Sequence, residues 1–243
     1  MSAIRTACLA LIVAMLLAAA PASAGAPCSD YWPRCTPAKA KSLAAQASDH
    51  NPKQLVQAAK CYAGVLQHGG DGDKLELAKK GAKLAKMAVA KKPDDAEAQY
   101  LLAVLIGLEA RFDPFYERWA DGLDMVPEIR KHAAKAASIN PKLNHGGPDR
   151  ALAELYMQAP SPPVSIGDPQ KALKHFKQAV QADPHYPENR YQYAKALLKQ
   201  NNCKEACLQL EAVKNLPANI RHRYPRTSAK ALKIYARHCS GGH

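Results

Sequence analysis

Alanine-rich segments that run into a proline recur along this chain: KLAKMAVAKKP to Pro93, HAAKAASINP to Pro141 and HFKQAVQADP to Pro184. A fourth segment, CKEACLQLEAVKNLP, ends at Pro217. Alanine is the strongest helix former and proline cannot continue a helix, so the chain is punctuated into helices joined by short turns. The apolar spacing agrees. Leu77, Gly81, Leu84, Ala85 and Ala88 fall on one face of Lys74–Lys91, with its lysines largely on the other. Ala96–Arg111 is apolar almost throughout, as a buried helix would be. Further helices are expected at Ala38–Ser48, Lys53–Gln67, Pro127–Ile139, Asp149–Met157, Pro169–Ala182, Pro187–Gln200, Lys204–Asn215 and Arg226–His238. Aromatic residues make up only 6% of the chain, and almost nothing reads as a strand.

The helices repeat in pairs. Pro184 and Pro217 are 33 residues apart, close to the 34-residue tetratricopeptide period. Counting back from Pro184 places Ala172, Phe176 and Ala179 at the small, aromatic and small positions of a second helix. The next pair places Tyr193, Ala194 and Leu197 on its first helix, and Ala206, Leu210 and Val213 on its second. Small residues let antiparallel helices approach while a large one plugs the gap between repeats. The expected fold is therefore all-α, a tetratricopeptide-like α-solenoid of antiparallel helix pairs over residues 38–240. Earlier proline intervals are longer, and residues 112–127 read as an irregular, aromatic-rich insert.

The N-terminus reads as an address. Arg5 precedes an unbroken apolar run from Ala7 to Ala20, and Ala22-Ser23-Ala24 supplies small residues for cleavage. Residues 1–24 are expected to be a signal peptide, and residues 25–37 an irregular Cys- and Pro-rich lead-in. The apolar run is short for a membrane span. Pro27 before Cys28 does not fit a lipobox, so export as a lipoprotein is not expected. Beyond the leader lie Cys28, Cys35, Cys61, Cys203, Cys207 and Cys239, an even number that suits disulfides in an exported chain. Cys35 or Cys28 is expected to pair with Cys61, and Cys203 or Cys207 with Cys239.

The formal charge is +13, from 34 Lys and Arg against 21 Asp and Glu. Such a chain is drawn to anionic surfaces or acidic partners. There is no basic stripe interleaved with stacking aromatics, so nucleic acid is not an expected partner. No motif for a nucleophile, a zinc site or a phosphate loop occurs, and the acidic residues follow helix caps and outer faces. No enzyme activity, cofactor or metal is expected.

One stretch is more distinctive. His145–Arg190 contains Gly146–Leu152 (GGPDRAL), Leu155–Pro160 (LYMQAP), Ser165–Pro169 (SIGDP) and Tyr186–Asn189 (YPEN). This run resembles the T component associated with tripartite ATP-independent periplasmic (TRAP) transporters. The resemblance implies a periplasmic helical-repeat protein that works with the substrate-binding component of such a transporter. It also implies self-association, and passage of small organic acids or other apolar ligands.

Read from the residues, most of this motif is structural. Gly146, Gly147 and Pro148 suit a tight turn into a helix, and Ser165, Gly167, Asp168 and Pro169 a loop closed by an N-capping Asp. Arg150 is expected to brace that second loop or to meet a ligand carboxylate. Phe112, Phe115, Tyr116 and Trp119 stand at helical spacing, as a seal for the insert or a lining for an apolar ligand or partner. The functional expectation is a non-enzymatic periplasmic scaffold serving a TRAP-type transporter, or otherwise a general cell-envelope interaction scaffold.

Overall fold

Most helices begin on a side chain that can cap them. Thr36, Asn51, Asp73, Asp95, Asp168 and Asn202 each accept a hydrogen bond from a backbone N–H in the first turn of the helix that follows. Those donors have no partner inside the helix, so the cap residues fix where each element starts. The computed structural model describes residues 31–113 and 121–239. No described residue lies in a strand.

Eleven helices result among the described residues. They are α1 (Pro37–Gln46), α2 (Pro52–Gln67), α3 (Lys74–Lys91), α4 (Ala96–Phe112) and α5 (Asp121–Ile139). There follow α6 (Gly147–Gln158), α7 (Pro169–Ala182), α8 (Pro187–Lys199), α9 (Cys203–Lys214), α10 (Ala218–Arg223) and α11 (Pro225–His238). Four antiparallel pairs, α2/α3, α4/α5, α6/α7 and α8/α9, form the stack. Helix α1 packs before the first pair, and α11 packs on α8 and α9 at the other end.

The seams are lined with alanine. Ala78, Ala85, Ala88, Ala98, Ala133, Ala136, Ala172, Ala179, Ala194 and Ala206 are all fully buried. Leu55, Leu101, Leu105, Leu197 and Leu210 fill the space between them. Truncating one such leucine costs about 2–5 kcal/mol. Helix α6 is shared by two cores: Leu152 and Leu155 face the first five helices, while Ala153 joins the cluster of Phe176, Tyr193 and Leu210.

Three expectations are corrected. The insert is shorter than residues 112–127. Phe112 closes α4, and α5 begins at Asp121, so Pro127 lies inside a helix rather than at its start. Proline removes one backbone donor, and the helix survives because Val126 and Ile129 are anchored in the core on either side. Second, Ala218–Arg223 forms a short helix, α10, with no buried residue to mark it in the sequence. Third, helix α1 reaches back into the lead-in, with Pro37 as its first residue and Thr36 its cap.

Two disulfides staple the ends. Cys35 bonds Cys61 and Cys207 bonds Cys239, while Cys203 is an exposed free thiol. Cys28 and residues 1–24 lie outside the described residues.

Candidate functional site: the inner helix row

The first helices of the pairs form one row. Helix α2 packs on α4 and α4 on α6, with no comparable packing between α3 and α5 or between α5 and α7. A stack whose first-row helices lie closer together curves toward them, so α2, α4 and α6 line its inner face, and α8 follows as the first helix of the next pair without packing of that kind on α6.

Near the middle of this face stands Glu154 of α6. It is accessible to solvent, yet burial is the largest influence on its carboxyl and raises its pKa. Glu188 adds to the upward shift, while Arg150, Arg111 and Lys195 oppose it. Three cations and two carboxylates from α4, α6 and α8 thus act on one another around Glu154. Beside them, Gly107 leaves open space where a side chain would stand.

Toward the N-terminal end the face is covered. Trp32 stacks on Tyr100 of α4 at 5.8 Å, and Tyr31 meets both rings edge-on. The Lys60 ammonium of α2 lies 3.9 Å from the centre of the Tyr31 ring and 2.6 Å from Glu97 Oε1 of α4. His68 Nε2 donates to the Trp32 carbonyl at 3.0 Å. A Cβ on Gly64 would fall 2.1 Å from the Pro33 carbonyl oxygen, so only glycine lets the Tyr31–Pro33 backbone lie this close to α2.

The glycine-rich motif is the joint between repeats. Gly146 has φ +82°, and a Cβ there would sit 2.9 Å from the Ala179 backbone. On Gly147 a Cβ would strike the Tyr100 hydroxyl at 2.7 Å. Gly167 lies against the carbonyls of Ala159 and Pro160, where a Cβ would be 2.1 Å from the first. Asp168 caps α7, its carboxyl held low by hydrogen bonds from Lys171 and Gln170 backbone N–H groups. Pro148 is fully buried and Pro169 is exposed. Ser165 is half-buried in the loop before α7.

Arg150 does not brace that loop. Its Nη1 donates to the His145 carbonyl at 3.1 Å and to Asn189 Oδ1 at 2.6 Å, and its Nη2 to the Asn144 carbonyl at 3.2 Å. The guanidinium also lies 5.1 Å from the centre of the Tyr186 ring. Its fork is engaged with the turn before its own helix and with Asn189 at the start of α8. Phe112 is likewise a core-edge residue, half-buried against the first core with Lys74 5.7 Å from its ring centre. Phe115, Tyr116 and Trp119 lie outside the described residues.

Sequence reasoning did not single out Glu154 on the inner row, whereas Glu97 and Glu188 lie in the first turns of α4 and α8, as acidic residues that follow helix caps do. It also missed Tyr31, Trp32 and Gly64. The signal for Gly64 was present: a glycine inside a helical pattern costs about 1 kcal/mol against alanine, which a close backbone approach explains.

The fold class is an α-solenoid of tetratricopeptide-like helix pairs, the architecture of protein-interaction scaffolds. Comparison with known families and structures places the chain within that class. Residues 166–222 match the family model described as Tetratricopeptide repeat. Residues 37–145 match the model described as Regulator of microtubule dynamics protein 1-3. The chain is similar to the crystal structure of a thermophilic tetratricopeptide-repeat protein from Thermus thermophilus. That match has 20% identity and a TM-score of 0.53, and covers 73% of this chain and 81% of the other. A second solved structure, MamA, is 14% identical with a TM-score of 0.48, over 82% of this chain and 86% of its own. No curated protein sequence matches the chain.

Proposed function

We propose that this chain is a non-enzymatic periplasmic scaffold whose inner helix row holds part of a protein partner, the substrate-binding component of a TRAP-type transporter. The observation that carries the binding face is Glu154, exposed on the inner row with the charges of Arg150, Glu188, Arg111 and Lys195 around its carboxyl. Charges of both signs on one face favour a partner with a complementary pattern and disfavour others. The transporter reading is supported by the motif between Gly146 and Asn189, and the periplasmic reading by the leader over residues 1–24. Small organic acids or apolar compounds would travel with the partner rather than in a closed pocket of this chain.

The test is affinity capture from periplasmic extract with the wild type and with Glu154→Arg. The account expects a TRAP-type substrate-binding protein with the wild type and its loss with the variant. Capture that ignores the substitution would contradict the inner-face reading. Capture of unrelated envelope proteins in its place would favour a general envelope scaffold.

A further inference from the structure

The charge of this chain is gathered at one end. No Asp or Glu follows Glu211, while seven Lys and Arg residues do, and they supply more than half of the formal +13. Two of the seven are engaged. Arg221 donates to the Lys214 carbonyl, and the Lys214 ammonium lies 4.9 Å from the centre of the Tyr235 ring. The other five, Arg223, Arg226, Lys230, Lys233 and Arg237, are exposed and make no ion pair among the described residues.

Helical periodicity aligns four of these five. Arg226, Lys230, Lys233 and Arg237 stand at i, i+4, i+7 and i+11 of α11. They fall within about one sixth of its circumference and along about 16 Å of its axis. The other side of α11 is fixed. Ser228 and Ala231 are buried, Thr227 Oγ1 donates to Glu188 Oε2 at 2.5 Å, and the Cys207–Cys239 disulfide ties the far end to α9. The row of cations is therefore preformed and faces outward. Folding leaves it without a counter-charge, although pairing each cation with a neighbouring carboxylate is the ordinary arrangement on a helix surface.

We propose that the α10–α11 end docks the chain on an anionic phospholipid bilayer by charge alone. Charge complementarity selects this occupant. The large exposed apolar side chains of the described residues are Ile139, Val164 and Leu208, and none lies on α10 or α11. A protein interface is centred on apolar or aromatic anchors, whereas a sheet of anionic headgroups needs only cations that share one face. A second copy offers no acidic end to match, since α1 carries Lys39 and Lys41 and no carboxylate. The inner-row reading is independent of this end: one concerns the partner of Glu154, the other the surface on which the chain rests.

The test is co-sedimentation of the exported chain with vesicles of phosphatidylcholine alone and of equal parts phosphatidylcholine and phosphatidylglycerol. Binding should rise with phosphatidylglycerol and be released by about 0.5 M sodium chloride. Each cation removed should weaken it about fivefold, so Lys230→Gln/Lys233→Gln should lose more than about tenfold. Lys174→Gln/Lys177→Gln, the same charge change on α7, should bind as the wild type does. Equal binding to both vesicle types overturns the proposal, as does an equal loss from both double variants. Retention on poly-glutamate or DNA without vesicle binding also overturns it. Should the α11 variant fail to fold, a benzophenone side chain at position 229, beside the row, decides the matter: a phospholipid adduct supports the proposal and its absence overturns it. Capture of a protein partner through Glu154 can succeed or fail whichever way the vesicles behave.

Discussion

Arg150 Nη1 lies 2.6 Å from Asn189 Oδ1, and this bond joins the helix α6 turn to the start of α8 across helix α7. Asn189 is fully buried, and its Nδ2 donates in turn to the carbonyls of His145, Ala179 and Asp183. One amide side chain thus satisfies backbone groups of the turn before α6 and of the end of α7 at once. Asn189→Ala would leave those carbonyls and the guanidinium short of partners. It is expected to destabilise the chain by about 2–3 kcal/mol in urea unfolding. A loss within about 0.5 kcal/mol would show that this joint does not hold the repeats together.

The turn before α6 allows a second check. Gly146 combines a left-handed backbone with contact against Ala179, so Gly146→Ala faces both strain and overlap. The expected loss is about 1–3 kcal/mol by thermal unfolding. Gly107→Ala, which meets nothing within 4 Å, is the matched control and should stabilise slightly.

Each disulfide closes a loop of moderate length, with sequence separations of 26 and 32 residues. In the chain-entropy model each stabilises by about 3–4 kcal/mol. Peptide mapping without reduction should recover the Cys35–Cys61 and Cys207–Cys239 links, with Cys203 alkylated. Cys61→Ser and Cys207→Ser should each lower the unfolding midpoint. A Cys203–Cys239 link would overturn the assignment at the C-terminal end.

His132 gives a pH dependence. Its Nδ1 donates to Gln99 Oε1 at 2.6 Å, and Gln99 Nε2 donates to the Pro93 carbonyl at 2.7 Å. Burial lowers the His132 pKa from its ordinary 6.5, and Lys131 and Lys86 lower it further against the pull of Glu128. The unfolded chain therefore binds the proton more readily than the folded one. This stability is present above pH 6.5 and is lost as pH falls from there through the lowered folded value. His132→Gln should flatten that slope in urea unfolding followed from pH 7 to pH 5. An unchanged slope would assign the effect to other groups.

Much of the fold was legible because the repeat imposes local rules. Lys74–Lys91 and Pro169–Ala182 begin and end where caps and prolines place them. Ala172, Phe176 and Ala179 are buried because a 33-residue period puts them on the seam. Pro127 was misleading because tertiary packing overrides a local helix breaker. Arg150 was misplaced for a different reason: its partners Asn144, His145 and Asn189 lie on turns brought together only by stacking. The Tyr31–Pro33 contacts were hidden in the same way. A short irregular segment carries no periodic signal, and the surface it packs on is shared between two helices.

Site-specific photo-crosslinking measures the central claim most directly. A benzophenone side chain at position 154 on the inner row is compared with one at position 177 on the exposed side of α7. The account predicts a partner adduct from position 154 and none from position 177. Adducts from position 177 alone would contradict it, because the partner would then bind the outer helices and leave the groove empty.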